Sequence, residues 1–241
     1  MNEIIRTHDE FYLKENRYKK TKQLFKDVIE MIKKVTIPDE EMVISDHGCA
    51  AGEFPYVLRD EFPNAKIEGY DLLENLIEKA RIEVPNADFF VGSITDQNLC
   101  KKNHSDVTLC IGVLSIFDSF EPIISNLLYW TKPGGYIFLH GLFNDFPIDV
   151  NIKYNLSENY ESSEREAGWN LFSKESVARW LGTQSEIFDF KFIDYQIELD
   201  LEPQNDYLRS WTIKGEDGQR ILTNGLCIMQ PHSILRIQKL G

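Results

Sequence analysis

Apolar residues along this chain gather in short, nearly continuous runs: Met42–Ser45, Ile67–Tyr70, Phe89–Val91, Val107–Ile111 and Ile137–Leu139. Between them, apolar side chains recur at helical spacing. Runs of this kind bounded by Gly, Pro, Asn and Asp predict buried strands, and the intervening periodicity predicts helices. The predicted elements are strand 1 at Met42–Asp46, a helix at Phe54–Phe62, strand 2 at Ala65–Tyr70 ending on Asp71, and a helix whose inner face is Leu73, Leu76, Ile77 and Ala80. Strand 3 at Ala87–Val91, strand 4 at Asp106–Ile111, a helix near 121–131 and strand 5 at Ile137–His140 follow. Strands alternating with helices imply parallel pairing with right-handed crossovers.

The flanks depart from that rhythm. Residues 3–35 carry an irregular apolar stripe (Phe11, Leu13, Tyr18, Leu24, Phe25, Val28, Ile29, Ile32) interleaved with lysines. This predicts a helical cap, read either as a solvated helix covering the sheet or as a lid with Tyr12 or Tyr18 facing a ligand. Residues 141–172 form a long polar connection that leaves strand 5, as functional insertions do. Ser173–Gly182 predicts a helix capped by Ser173 and stopped by Gly182. Strand 6 is expected over about Ile187–Leu201. Residues 210–239 read as antiparallel β, with a hairpin at Asp217-Gly218 and strands at Leu226–Met229 and Ile234–Ile237. The division expected is a single domain: cap 1–38, ligand-binding half 39–141, insertion 142–172 and the rest of the sheet 173–241.

The informative stretch is Asp46-His47-Gly48-Cys49-Ala50-Ala51-Gly52-Glu53. A strand runs into a turn with two glycines, and a helix follows. Glycine lets the backbone pass close to a ligand with no Cβ in the way. The pattern lacks the G-x-G-x-x-G spacing that serves a pyrophosphate, and Asp46 and Glu53 would repel one. They suit a ligand carrying an ammonium and a sulfonium. Asp71 lies 19 residues beyond Gly52 at the end of strand 2, where an acid binds both hydroxyls of a ribose; an acid there also serves as a helix N-cap.

On these residues, with Gly69-Tyr70-Asp71 and Lys132-Pro133-Gly134-Gly135 ahead of strand 5, the chain resembles the class I S-adenosylmethionine-dependent methyltransferases, of the small-molecule type. The resemblance implies an α/β, Rossmann-like, doubly wound and mostly parallel seven-stranded sheet, with an antiparallel C-terminal strand pair and an N-terminal helical cap. It implies S-adenosylmethionine as cofactor and S-adenosylhomocysteine as product. The cofactor-binding residues it points to are Tyr18, Asp46, Gly48, Cys49, Ala50, Gly52, Asp71, Leu72, Ser93, Ile94, Ile111 and Gly112. Where the family often has Gly-Asp, this chain has Gly92-Ser93. After residue 141 the chain bears a likeness to methyltransferases of surface glycans or their precursors.

Methyl transfer needs alignment above all, and a base where the acceptor is a weakly acidic hydroxyl. His140, ending strand 5, is the candidate base, or else a histidine satisfied by backbone groups. His47 is expected to orient the glycine loop. Asn144, Tyr154, Trp169 and Asn170 are the candidate substrate contacts. Histidine spacing offers no metal site.

Composition narrows the alternatives. A net charge of −13 disfavours nucleic acid, whose phosphates need clustered Lys and Arg. Four cysteines without a C-x-x-C pair fit free thiols in a reducing compartment. The start Met1-Asn2-Glu3 shows no apolar leader and no run is long enough to span a bilayer. The expectation is a cytoplasmic protein acting on a small molecule. The rival readings are a nicotinamide-dependent oxidoreductase on a similar sheet and a methyltransferase-like binding module without catalysis.

Overall fold

The computed structural model describes residues 11–14, 18–37 and 40–241, the side chain of Phe11 excepted. The predicted cap helix over 3–10 and 15–17, and the break at Pro38-Asp39, lie outside them. The cap is not one continuous helix: α1 (Phe11–Lys14) and α2 (Gln23–Lys33) are separated by a turn that includes Tyr18.

Eight elements then follow in the predicted order: β1 (Val43–His47), α3 (Glu53–Glu61), β2 (Lys66–Asp71), α4 (Glu74–Glu83), β3 (Asp88–Val91), β4 (Ser105–Ile111), α5 (Glu121–Trp130) and β5 (Thr131–Asn144). Within the insertion come three two-residue strands: β6 (Lys153–Tyr154), β7 (Glu166–Ala167) and β8 (Phe172–Ser173). The chain continues through α6 (Lys174–Leu181), β9 (Ile187–Asp194), β10 (Trp211–Lys214), β11 (Arg220–Thr223) and β12 (His232–Lys239).

Seven strands run in the order β3-β2-β1-β4-β5-β12-β9, and β8 joins the end of β5. The first five are parallel; β12 is antiparallel to both β5 and β9. The predicted antiparallel tail therefore divides. Residues 232–239 enter the main sheet, Leu226–Met229 form no strand, and the Asp217-Gly218 hairpin builds a separate two-stranded sheet from β10 and β11. Lys239, buried, fixes β12 by donating to the carbonyls of Leu128 (2.7 Å) and Thr131 (3.0 Å).

Strand alternation sends β5 side chains to two cores. Ile137 and Leu139 pack with Leu127, Trp130, Val177 and Leu181, beneath α5 and α6. Phe138 packs on the opposite face with Ile44, Leu109, Phe25, Val28 and Leu58, beneath α2 and α3. The carboxyl ends of β1, β2, β4 and β5 open on one rim, where ligands bind in open parallel sheets. Among the described residues no helix is long and apolar enough to cross a membrane.

Two local expectations change. Strand 5 begins at Thr131, so the Lys-Pro-Gly-Gly segment is the bulged start of β5 rather than a turn ahead of it, with Gly134 at φ +78°. Gly182 has an ordinary helical φ of −63°, so it does not stop α6 through a left-handed residue. Ser173 does cap α6: its buried hydroxyl accepts from Glu175 N and Ser176 N. Ser173→Ala is expected to cost about 1 kcal/mol, read as a lower urea midpoint with an unchanged m-value.

Candidate functional site at the carboxyl rim

The glycine turn is held by strand 2. Gly48 N and Cys49 N both donate to the Tyr70 carbonyl, at 2.7 and 3.0 Å, and Gly52 N donates to Cys49 O. The Asp71 carboxylate faces this turn. One of its oxygens accepts from Ala50 N at 2.8 Å and the other from Leu73 N at 3.0 Å. Asp71 thus braces the loop and the start of α4 at once. Gly48 (φ +87°), Ala50 (φ +47°) and Gly52 (φ +82°) all lie in the left-handed region.

The glycines have a packing role that spacing does not reveal. A Cβ on Gly48 would sit 2.2 Å from a Val113 methyl, and one on Gly52 would sit 3.1 Å from both Ala80 and Phe89. Side chains of the protein, not open space, fill those positions. Gly112 is different: its φ is +80° and nothing lies within 4 Å of a Cβ placed on it. Its N–H donates to the His140 carbonyl at 3.1 Å. The open part of the rim is therefore at Gly112, beyond the end of β4.

Asp46 is the electrostatic centre. It is 2% exposed, and its Oδ1 has no hydrogen-bond partner. Burial, reinforced by Asp71 and opposed by Lys22, lifts its pKa to about 7. An unpartnered buried carboxylate is costly unless a cation meets it. The unpartnered oxygen suits a ligand that carries an ammonium beside a sulfonium and repels a diphosphate.

The cap closes over the loop from the α2 side. Tyr18 is buried, and its hydroxyl donates to Ala51 O at 2.7 Å. Lys22 pairs with Glu53 at 2.9 Å. Sequence reading did not single out Lys22, because it sits in an ordinary run of surface lysines. Cys49 is buried and its thiol is pushed well above the usual range by burial and by Asp46 and Asp71, so it is an inert packing group here. Cys227, in contrast, is exposed.

On the far side of the rim, Leu72 is 40% exposed. Ser93 is within 2.8 Å of the Thr95 hydroxyl, and its Oγ also accepts from Thr95 N. Ile94 is a core residue whose carbonyl accepts from Asn126. Asp96 caps the short helical turn that follows through Asn98 N. Ile111 pairs with His140 across β4 and β5.

The histidines and the insertion correct several expectations. His47 is the last residue of β1 and does not orient the turn. It is buried between the rings of Tyr70 and Trp130, its Nε2 lies 3.2 Å from Ser45 Oγ, and burial lowers its pKa to about 3. His140 does not end its strand, since β5 continues to Asn144; it is buried, and its side chain meets His232 rather than backbone. Asn170 is fully buried and spends its amide inside the chain, accepting from Ile152 N and donating to Phe117 O. It fastens the insertion to the loop after β4. Asn144 shapes its own loop, accepting from Phe146 N and donating to Ile148 O. Tyr154 is buried, donates to Glu166 at 2.8 Å and meets Trp169 edge-on at 6.3 Å. Trp169 itself has φ +57°.

Comparison with known proteins agrees with this geometry. Residues 16–184 match the family described as a methyltransferase domain. A malonyl-[acyl-carrier protein] O-methyltransferase of Halalkalibacterium halodurans is 28% identical over 137 residues, 54% of this chain; the chain spans about half the length of that relative (48%). Among solved structures, YcgJ of Bacillus subtilis superposes with a TM-score of 0.56 at 12% identity, covering 90% of this chain and 99% of that one. Magnesium protoporphyrin IX methyltransferase of Synechocystis, solved with S-adenosylmethionine bound, gives 0.53 at 13% identity, covering 91% and 79%. With a family match over most of its length and the parallel sheet and glycine turn to go with it, this chain belongs to the methyltransferase domain family, on the class I Rossmann-like fold.

Proposed function

We propose that the chain transfers a methyl group from S-adenosylmethionine to an oxygen or nitrogen atom of a small molecule. The observation that carries this reading is the buried Asp46 carboxylate with one oxygen unpartnered, beside a turn braced by Asp71. The cofactor, when bound, supplies a methyl group on a good leaving group. The chain's own task is to hold and align. Asp46 would face the ammonium, Asp71 the ribose hydroxyls, and Leu72 and Ser93 the adenine side. Gly112 leaves room for the methionine portion, and Tyr18 closes the cap. His140, whose carbonyl accepts from Gly112 N, is the proposed proton acceptor.

The acceptor is proposed to be a small metabolite, with a sugar or glycan precursor as the narrower form. The curated relative is an O-methyltransferase by name, which supports oxygen as the receiving atom. A panel of polyols, phenols, carboxylic acids and amines incubated with methyl-labelled cofactor tests the acceptor class.

Isothermal titration with S-adenosylhomocysteine tests the cofactor. The wild type should bind, and Asp71→Ala should bind at least about tenfold more weakly, one lost charge-assisted contact being about 1.5–3 kcal/mol. No heat from the wild type, or an unchanged affinity in the variant, would overturn the proposal.

Asp46 adds a pH signature. Its folded pKa of about 7 lies above its ordinary value, so the ionised form is what burial disfavours. The carboxyl's contribution to stability is fully present below its unfolded pKa and is lost as pH rises through about 7. Asp46→Asn should therefore melt higher than the wild type at pH 8 and show no such gain at pH 4. The same residue makes cofactor affinity rise with pH: wild-type binding of S-adenosylhomocysteine should weaken below pH 7, and Asp46→Asn should abolish that dependence.

A further inference from the structure

His232 belongs to none of the motifs in the sequence, yet its ring stacks on that of His140, with centroids 4.9 Å apart and planes 12° from parallel. His232 Nδ1 and His140 Nε2 are 2.9 Å apart, a hydrogen bond. Strand pairing sets the contact: His232 opposes Leu142 and Ile234 opposes His140, so the two rings meet diagonally across β5 and β12. The outer nitrogens, His140 Nδ1 and His232 Nε2, are both buried and have no partner. So is Gln230 Nε2, two residues before His232.

Among the described residues the groups around the pair are few. Lys22, in the cap, acts on His140 through its charge, and Tyr195, which follows β9, meets both rings edge-on at 6.0 and 6.2 Å. Asp27 and Glu198 act on Tyr195, whose hydroxyl is pushed up to about 12 by burial first. Burial holds both histidines below their usual range, His232 at about 4, and His232 and Lys22 press His140 further down. Burial therefore favours the neutral form of both rings.

A neutral pair sharing one hydrogen bond has a fixed property. If His140 Nε2 donates, His140 Nδ1 is a bare acceptor and His232 Nε2 carries a hydrogen; if His232 donates, the two ends exchange roles. One end always accepts while the other donates. The end that takes a proton serves a group that must give one up: a carboxylate has none to give and a neutral amine attacks before losing its own, whereas a hydroxyl needs the base. An acceptor carboxylate would in addition need a cation; the pair supplies none, and Lys22 is already paired with Glu53.

We infer that His140 and His232, at the carboxyl end of the sheet where β4 meets β5, form one proton-relaying pair, and that the methyl acceptor they serve is a neutral hydroxyl. The inference rests on the methyl-transfer reading above. The acceptor oxygen bonds to the methyl carbon, and the carbon–sulfur bond breaks with its electron pair remaining on sulfur. The hydroxyl proton passes to His140 Nδ1 as the hydrogen on His140 Nε2 moves to His232 Nδ1. His232, momentarily an imidazolium, releases its Nε2 hydrogen to solvent; once product has left, a solvent proton returns to that nitrogen, the shift runs backwards and His140 gives up its Nδ1 hydrogen, which restores the starting tautomer. His140 would be the catalytic residue and His232 the positioning and relay residue.

The decisive variant is His232→Asn, whose side-chain amide keeps a hydrogen-bonding group at the Nδ1 position but cannot pass a proton through a ring. Nitrogen-15 NMR of the full chain with labelled histidine should show both wild-type imidazoles neutral from pH 8 to pH 6. The variant should fold and bind S-adenosylhomocysteine as the wild type does. Its turnover with the best hydroxyl acceptor of the panel should fall at least about tenfold, with KM little changed and the pH profile displaced to the alkaline side. A protonated His140 or His232 at pH 7, methylation confined to carboxylates or amines, no hydroxyl acceptor at all, or a wild-type kcat and pH profile in His232→Asn would each overturn the relay. In all four cases intact S-adenosylhomocysteine binding leaves the cofactor reading standing, while failure of the wild type to bind it removes both.

Discussion

Two carboxylates at the ends of neighbouring parallel strands govern this rim. Asp46 and Asp71 raise one another's energy, and the burial of Asp46 weakens the screening by water, yet they are treated differently. Asp71 is compensated by backbone N–H groups on both oxygens, and in return it fixes the left-handed turn. Asp46 keeps one oxygen without a donor. The same pair of acids therefore supplies both the rigidity of the site and its appetite for positive charge.

The roof over these acids comes from distant parts of the chain. Tyr18 and Lys22 reach in from the cap, and Gln23 ties α2 to the segment after β9 by donating to Gln196 O and accepting from Glu198 N. Arg209 lies over the ring of Tyr12 at 5.9 Å, so the segment bearing the small hairpin meets α1 as well. The site's cover is thus shared between the two flanks of the sheet rather than assigned to the insertion after β5. That insertion is instead fastened down by Asn170 and by the pairing of Lys153 with Asp118.

What the sequence revealed follows from which forces act locally. Buried parallel strands need continuous apolar runs, and β1 to β4 were therefore visible within a residue or two at each end. The acids at 46 and 71 were visible because charge at a strand's end is chemically conspicuous. The glycines were located correctly, but the reason differed: Val113, Ala80 and Phe89 occupy the space their missing Cβ atoms leave, and tertiary neighbours leave no mark on local spacing. His47 and Asn170 misled for a related cause. A polar side chain next to a motif looks available until ring stacking or a backbone partner claims it. His232 was invisible because its meaning lies wholly in strand register, 92 residues from its partner.

The place of β12 has a consequence for synthesis. It fills the gap between β5 and β9, and among the described residues β9 has no other strand partner in the sheet. As the chain leaves the ribosome, β5 must wait for residues 232–239 with one hydrogen-bonding edge bare and Ile137, Phe138 and Leu139 already exposed beside it. An apolar edge left open during translation is where nascent chains aggregate or recruit a chaperone. In the parallel half β1 waits only through residues 48–104 for β4, against 145–231 between β5 and β12, so the greater vulnerability at birth lies on the side that carries the histidines.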